Sequence, residues 1–124
     1  MFAGKPAVAT VAVKDIERAS HFYEETLGLR LADKQEEGTR TYQSGDTALF
    51  VYESKYAGSN KATAVTWAVG DVEDTVRELK SKGGSFETYD MPGLTRRGDV
   101  YIGGSMQVAW FKDPDGNIHA VVSG

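Results

Sequence analysis

The chain has 124 residues, 40% hydrophobic and 26% charged, with a formal net charge of −4. That length suits one compact domain with a real core, and scattered Lys and Arg on an acidic chain argue against DNA or RNA as a partner. There is no cysteine, which excludes disulfides, cysteine-based zinc sites and thiol catalysis.

The first stretch, MFAGKPAVATVAV, is apolar but is soon interrupted by Lys14 and Asp15. It has neither the length of a membrane span nor the layout of a signal peptide, so a cytoplasmic protein with no membrane partner is expected. Within it, Ala9, Val11 and Val13 alternate with Val8, Thr10 and Ala12, a strand pattern. Asp15 follows as a helix N-cap. Ile16, Ala19, Tyr23 and Leu27 then recur at helical spacing, and Gly28 closes the helix. Three strands are expected next: LRLADKQ (29–35), RTYQSG (40–45) and TALFVYE (47–53), with SGDT as a hairpin turn.

After the polar stretch SKYAGSNKA (54–62) the same order begins again. TAVTWAV reads as a strand and Asp71 as an N-cap. Val72, Val76 and Leu79 form an apolar stripe, Lys80 and Lys82 sit in the last turn, where the helix dipole favours cations, and Gly84 closes the helix. SFETYD (85–90), SMQVAWF (105–111) and NIHAVV (117–122) are the expected strands, with DPDGN as the last turn. The Gly-rich stretch MPGLTRRGDVYIGG (91–104) reads as an insertion between strands. A shift of 56 positions superposes Val11 on Trp67, Val13 on Val69, Asp15 on Asp71 and Gly28 on Gly84. The fold class expected is therefore α+β: two βαβββ modules, 5–54 and 63–123, joined by a linker, 55–62, in a single domain spanning 1–124.

These residues reach a known pattern. A strand ending in V-x-D, then ERA-x-x-FY-x-x-x-LG-L and a late FKDPDGN-I, resembles the vicinal oxygen chelate superfamily, which includes glyoxalase I, extradiol dioxygenases and bleomycin resistance proteins. The resemblance implies that each module curls its sheet into half a cup and that two chains pair as a homodimer. In metal-dependent members, side chains facing the cup hold one divalent ion. The matching positions here are Val8, Ala64, Ala120 and a place within Leu49-Phe50. None offers the nitrogen, oxygen or sulfur that such an ion requires, so no metal and no other cofactor is expected.

By alternation the cup faces carry Val8, Thr10 and Ala12, then Ala64, Thr66 and Ala68. Met106, Val108, Trp110, Ala120 and Val122 belong there too, with Phe50 and Tyr52 as further candidates. Small residues leave room and Trp110 supplies a flat apolar surface, as expected of a small-molecule site; Trp110 could equally fill a core. Trp67 falls on the helix-packing face. His119 lies on the face opposite Ala120, and His21 lies off the apolar stripe of its helix, in solvent. Tyr89, Tyr101, Arg96 and Arg97 either gate the cup or form a solvated loop. Asp113 and Asp115 read as turn chemistry. No triad, nucleophile elbow, phosphate loop or dinucleotide fingerprint appears, and Glu53, Glu87 and Asp99 are the remaining acid–base candidates. The expected function is metal-independent binding of an apolar or aromatic small molecule, an antibiotic among the candidates, with no catalytic residue. The alternative is a glyoxalase- or dioxygenase-like enzyme with non-standard site residues.

Overall fold

A computed structural model describes residues 1–32 and 36–124. Among the described residues nine strands and two α-helices follow in the order β1 (Ala9–Val13), α1 (Ile16–His21), β2 (Arg30–Leu31), β3 (Thr39–Ser44), β4 (Thr47–Glu53), β5 (Thr63–Ala68), α2 (Val72–Ser81), β6 (Thr95–Arg97), β7 (Val100–Gly103), β8 (Met106–Lys112) and β9 (Ile118–Ser123). They form two open mixed sheets, ordered β1-β4-β3-β2 and β5-β9-β8-β7-β6, and the class is α+β. In each sheet the strand before the helix pairs in parallel with the last strand of its unit, β1 with β4 and β5 with β9; the remaining pairs are antiparallel.

Asp15 and Asp71 start the helices as their residue type predicts. Asp15 accepts from the backbone N–H of Glu17 and Arg18, and Asp71 from that of Asp74. The first helix does not run uniformly to Gly28. From Phe22 to Thr26 it widens into a π turn, in which the Leu27 N–H reaches back to the Phe22 carbonyl at 3.0 Å. This places two consecutive aromatic residues in the interior: Phe22 packs near Phe111 of β8, and Tyr23 stacks on Tyr42 of β3.

The second helix ends one residue earlier than the repeat suggests. Gly83 holds the left-handed conformation (φ 90°), and the N–H groups of Gly83 and Gly84 return to the carbonyls of Lys80 and Leu79. Gly84 is glycine for a different reason, since a Cβ there would press on Leu79 at 2.7 Å.

Two expected strands and the expected insertion differ. SFETYD contributes a single bridge, Phe86 to Phe111, because the segment turns away to cover the sheet. In its place, residues of the presumed insertion form the hairpin β6–β7, turning through Gly98–Asp99 with φ 63° at Gly98. Arg96 and Arg97 are therefore strand residues. LRLADKQ supplies only Arg30–Leu31 to β2, and its residues 33–35 lie outside the described residues.

The core falls in two clusters, one under each helix, bridged by Phe22, Leu27 and Trp67. Val11, Val13, Tyr42, Leu49 and Val51 turn inward from the first sheet, and Ala109, Phe111 and Val121 from the second. Ile16, Ala19 and Tyr23 meet the first set, while Val72, Val76 and Leu79 of α2 meet the second. Burying each large apolar side chain contributes about 1.5–3 kcal/mol. The first sheet thus turns its inner face to α1 and the second to α2, with Tyr23 of the π turn touching both Tyr42 and His119, and the other face of each sheet is turned outward. The stretch expected as a linker is packed: Ala57 is buried and Gly58 lies against the Asp115 carbonyl.

Candidate functional site

Strand register decides what each outer face presents. On the first sheet Thr10 pairs with Phe50 and Ala12 with Tyr52, so these four share the outer face. The Phe50 and Tyr52 rings stack at 6.0 Å and 12°, and Tyr52 and Val8 are exposed. The same register settles the place left open between Leu49 and Phe50: Leu49 is core and Phe50 faces out.

On the second sheet Thr66, Ala120 and Trp110 line up across three strands, beside Ala68, Val122, Val108 and Tyr101. Met106 is exposed at the end of its hairpin. Ala64 departs from alternation. The β5–β9 register slips between Thr63 and Val65, and Ala64 packs against the first core cluster instead of lining the face with Thr66.

Aromatic side chains give the second face its shape. Trp110 meets Tyr101 edge to face at 5.2 Å and Tyr89 at 5.4 Å. Tyr101 is buried, part of the floor and not a gate. Its hydroxyl accepts from the Tyr89 N–H at 2.7 Å and donates to the Tyr89 carbonyl at 3.1 Å, pinning the covering segment to β7. The Tyr89 hydroxyl itself is shielded from water without a hydrogen-bond partner, and desolvation pushes its pKa up. Leu94 from the same segment packs on Tyr101, Val108 and Ala120. Arg96 lies over the Tyr101 ring at 6.0 Å.

The family's metal positions do not fit an ion. Val8, Phe50, Ala64 and Ala120 place only carbon where nitrogen or oxygen donors at about 2.0–2.3 Å would be needed. Among the described residues no three His, Cys, Asp or Glu side chains come together.

The chain's polar cluster lies on the inner side instead. His119 is fully buried, stacked on Phe111 at 4.9 Å. Its Nδ1 accepts from the Trp67 indole at 3.0 Å, and its Nε2 lies 3.0 Å from the Tyr23 hydroxyl, which donates to Asp113 Oδ2 at 2.7 Å. Asn117 donates to Asp113 Oδ2 at 2.7 Å and to the Ala12 carbonyl at 2.8 Å. Asp113 Oδ1 meanwhile takes the N–H groups of Asp115 and Asn117. Asp113 is thus turn chemistry and also the end of a network joining the sheets through α1. Sequence reasoning missed Tyr23, whose place in the apolar stripe disguised its hydroxyl. Desolvation lowers the His119 pKa to about 4, and desolvation followed by Asp113 pushes Tyr23 far above the usual tyrosine range. Nothing in this cluster reaches solvent in a way that would admit a substrate.

The other acid–base candidates are engaged. Glu53 Oε2 accepts the Ile16 N–H at 3.0 Å, Glu87 pairs with Lys112 at 3.3 Å, and Asp99 pairs with Lys80. A cleft of about 210 Å³ is lined by Leu27, Trp67, Leu79 and Phe111 together with Thr26, Thr75, Glu78 and Lys82. No helix is long and apolar enough to cross a membrane among the described residues.

Comparison with known proteins agrees with this geometry. The family model described as the Glyoxalase/Bleomycin resistance protein/Dioxygenase superfamily matches residues 5–120. No curated protein matches the chain. Among solved structures, a glyoxalase family protein from Enterococcus faecalis superposes with a TM-score of 0.73 at 16% identity, covering 98% of this chain and 99% of that one. A fosfomycin resistance protein, FosX, from Listeria monocytogenes gives 0.75 at 13% identity, covering 100% and 95%. A lactoylglutathione lyase from Agrobacterium tumefaciens gives 0.67 at 15% identity, covering 98% and 94%.

Proposed function

We propose a binding role for this chain, which belongs to the Glyoxalase/Bleomycin resistance protein/Dioxygenase superfamily: it holds an apolar or aromatic small molecule on its outer faces without a metal and without altering it. The observation that carries this reading is the outer face of the second sheet. Carbon stands at the metal position Ala120, and beside it Trp110 is set between Tyr89 and Tyr101. Such a surface offers affinity through apolar contact and stacking. The acid–base candidates His119, Glu53, Glu87 and Asp99 are each held in a hydrogen bond or ion pair, which favours a binding role over catalysis.

A second copy of the chain completes the reading. Val8, Tyr52 and Met106 leave apolar surface exposed on or beside the outer faces, and a homodimer closing one chain's face with another's would enclose a ligand that a single open sheet leaves half in water. Two solved neighbours are described as fosfomycin resistance proteins, which makes an antibiotic one candidate ligand. Sequestration requires only affinity and stoichiometry, and a cytoplasmic location would let the protein meet the compound before its target does.

Two measurements test this. Metal analysis of protein purified without chelator should find less than one equivalent of any transition ion. A thermal-shift screen with aromatic natural products and antibiotics should find a stabilising compound whose binding Trp110→Ala weakens by about tenfold or more. A tightly held stoichiometric metal, or a binder indifferent to Trp110, would overturn the reading.

A further inference from the structure

Charge is distributed unevenly between the two sides of the sheets. The chain has 18 Asp and Glu residues against 14 Lys and Arg. Yet among the described strands the single carboxylate is Glu53, and it turns to the helix side, opposite Val13, to accept the Ile16 N–H. The helix side also carries Arg40 and Arg97, each paired with a carboxylate, while the outer faces carry Arg30, paired across the sheet with Gln43 and hence with Ala48, and on the second sheet Arg96 and Lys112.

Lys112 is neutralised by Glu87 at 3.3 Å. Arg30 and Arg96 have no carboxylate within ion-pair distance among the described residues. The neighbouring Arg97 provides an internal comparison: it points to the other side of β6 and pairs with Glu73 at 2.9 Å. Arg96 is oriented only by neutral acceptors, its Nε donating to the Gly98 carbonyl at 2.8 Å and its Nη2 to the Thr88 hydroxyl at 3.3 Å. Two of its five N–H donors are used, and the guanidinium is steered over Tyr101, next to Trp110. In an acidic chain, an uncompensated guanidinium held in place beside an aromatic floor is a receptor for negative charge.

We infer that the ligand of the second outer face is a planar aromatic acid, its rings packed on Trp110 and its carboxylate taken by Arg96. This rests on the reading of that face as a small-molecule site and narrows the ligand class. Arg97, Lys112 and the exposed cations of the helices are paired and do not compete for the acid.

The test uses the full chain and two probes of one shape, 9-anthracenecarboxylate and 9-anthracenecarboxamide, followed by probe fluorescence at neutral pH. The acid is expected to bind about tenfold tighter than the amide, because a charge-assisted pair replaces a neutral one. Arg96→Gln should bring the acid's affinity down to that of the amide, whereas Arg77→Gln, which removes an exposed cation on α2, should leave the preference intact. Equal affinity for the two probes, or a preference that survives Arg96→Gln, overturns the acid inference and leaves the aromatic site standing. If neither probe binds, both readings fall.

Discussion

The indole N–H of Trp67 donates to Nδ1 of His119 at 3.0 Å. Because an indole nitrogen can only donate, this one bond fixes His119 as the neutral tautomer with its proton on Nε2. The rest follows in order. Nε2–H donates to the Tyr23 oxygen, the Tyr23 hydroxyl donates to Asp113, and every member has a partner of the right polarity. A buried polar chain that is fully satisfied specifies one arrangement, here of α1 against both sheets.

Acid should loosen that arrangement. A second proton on His119 would set N–H against the N–H of Trp67, and burial accordingly holds the pKa at about 4 against an ordinary 6.5. Between those values the unfolded chain binds more protons than the folded one. Stability therefore rises with pH across the window and is lost as pH falls from 6.5 toward 4. The whole span is worth about 3 kcal/mol. Urea midpoints between about pH 5 and pH 6.5, above the carboxylate range, should fall with acidification in the native chain and much less in His119→Gln. A native midpoint flat across that interval would contradict the assignment.

Removing the Tyr23 hydroxyl should be costly for its size. Tyr23→Phe strands the His119 Nε2–H in the core and takes one donor from Asp113, a loss of about 2–3 kcal/mol. Tyr42→Phe, which breaks a hydroxyl bond to the half-exposed Glu24, should cost about 1 kcal/mol. Chemical denaturation of the pair decides it; equal losses would mean that the chain through Tyr23 carries no special weight.

These residues also mark where sequence reading succeeds and stops. Alternation in β1, β4, β8 and β9, the caps Asp15 and Asp71, and the DPDGN turn are local signals, and each is where it was expected. Tyr23 and His119 lie 96 positions apart, and no periodicity connects them. The hairpin β6–β7 had a local signal, Gly-Asp between TRR and VYIG, but two arginines and the surrounding glycines read as loop. Ala64 escaped because alternation assumes an unbroken register, and β5 breaks it there.

The connection between the two sheets predicts an effect where a flexible tether would show none. Gly58 has φ 78°, and a Cβ would collide with the backbone carbonyl of Asp115, which cannot rotate away. Gly58→Ala should therefore lose about 2 kcal/mol or more, a fall in Tm of about 8 °C. Gly93→Ala has a similar φ of 89° but open space around it, so it isolates backbone strain at about 1 kcal/mol. Similar Tm shifts for the two would argue that residues 55–62 are not packed against the turn.

Gly103 offers the opposite separation, of stability from site shape. Its backbone is unstrained, and an added Cβ would meet only the Leu94 Cδ2 methyl, at 2.5 Å. Leu94 is the side chain that covers Tyr101, Val108 and Ala120 on the second outer face. Because the obstructing atom is the end of a flexible side chain, Leu94 can swing aside at a cost of about 1 kcal/mol or less. Gly103→Ala should then barely move the urea midpoint, while Trp110 loses cover and its emission shifts to the red. That change is read as the difference from the same variant carrying Trp110→Phe, since Trp67 also emits. A large loss of stability with unchanged emission would show instead that Leu94 is locked, and that the second outer face is a closed core layer and not a surface that opens to a ligand.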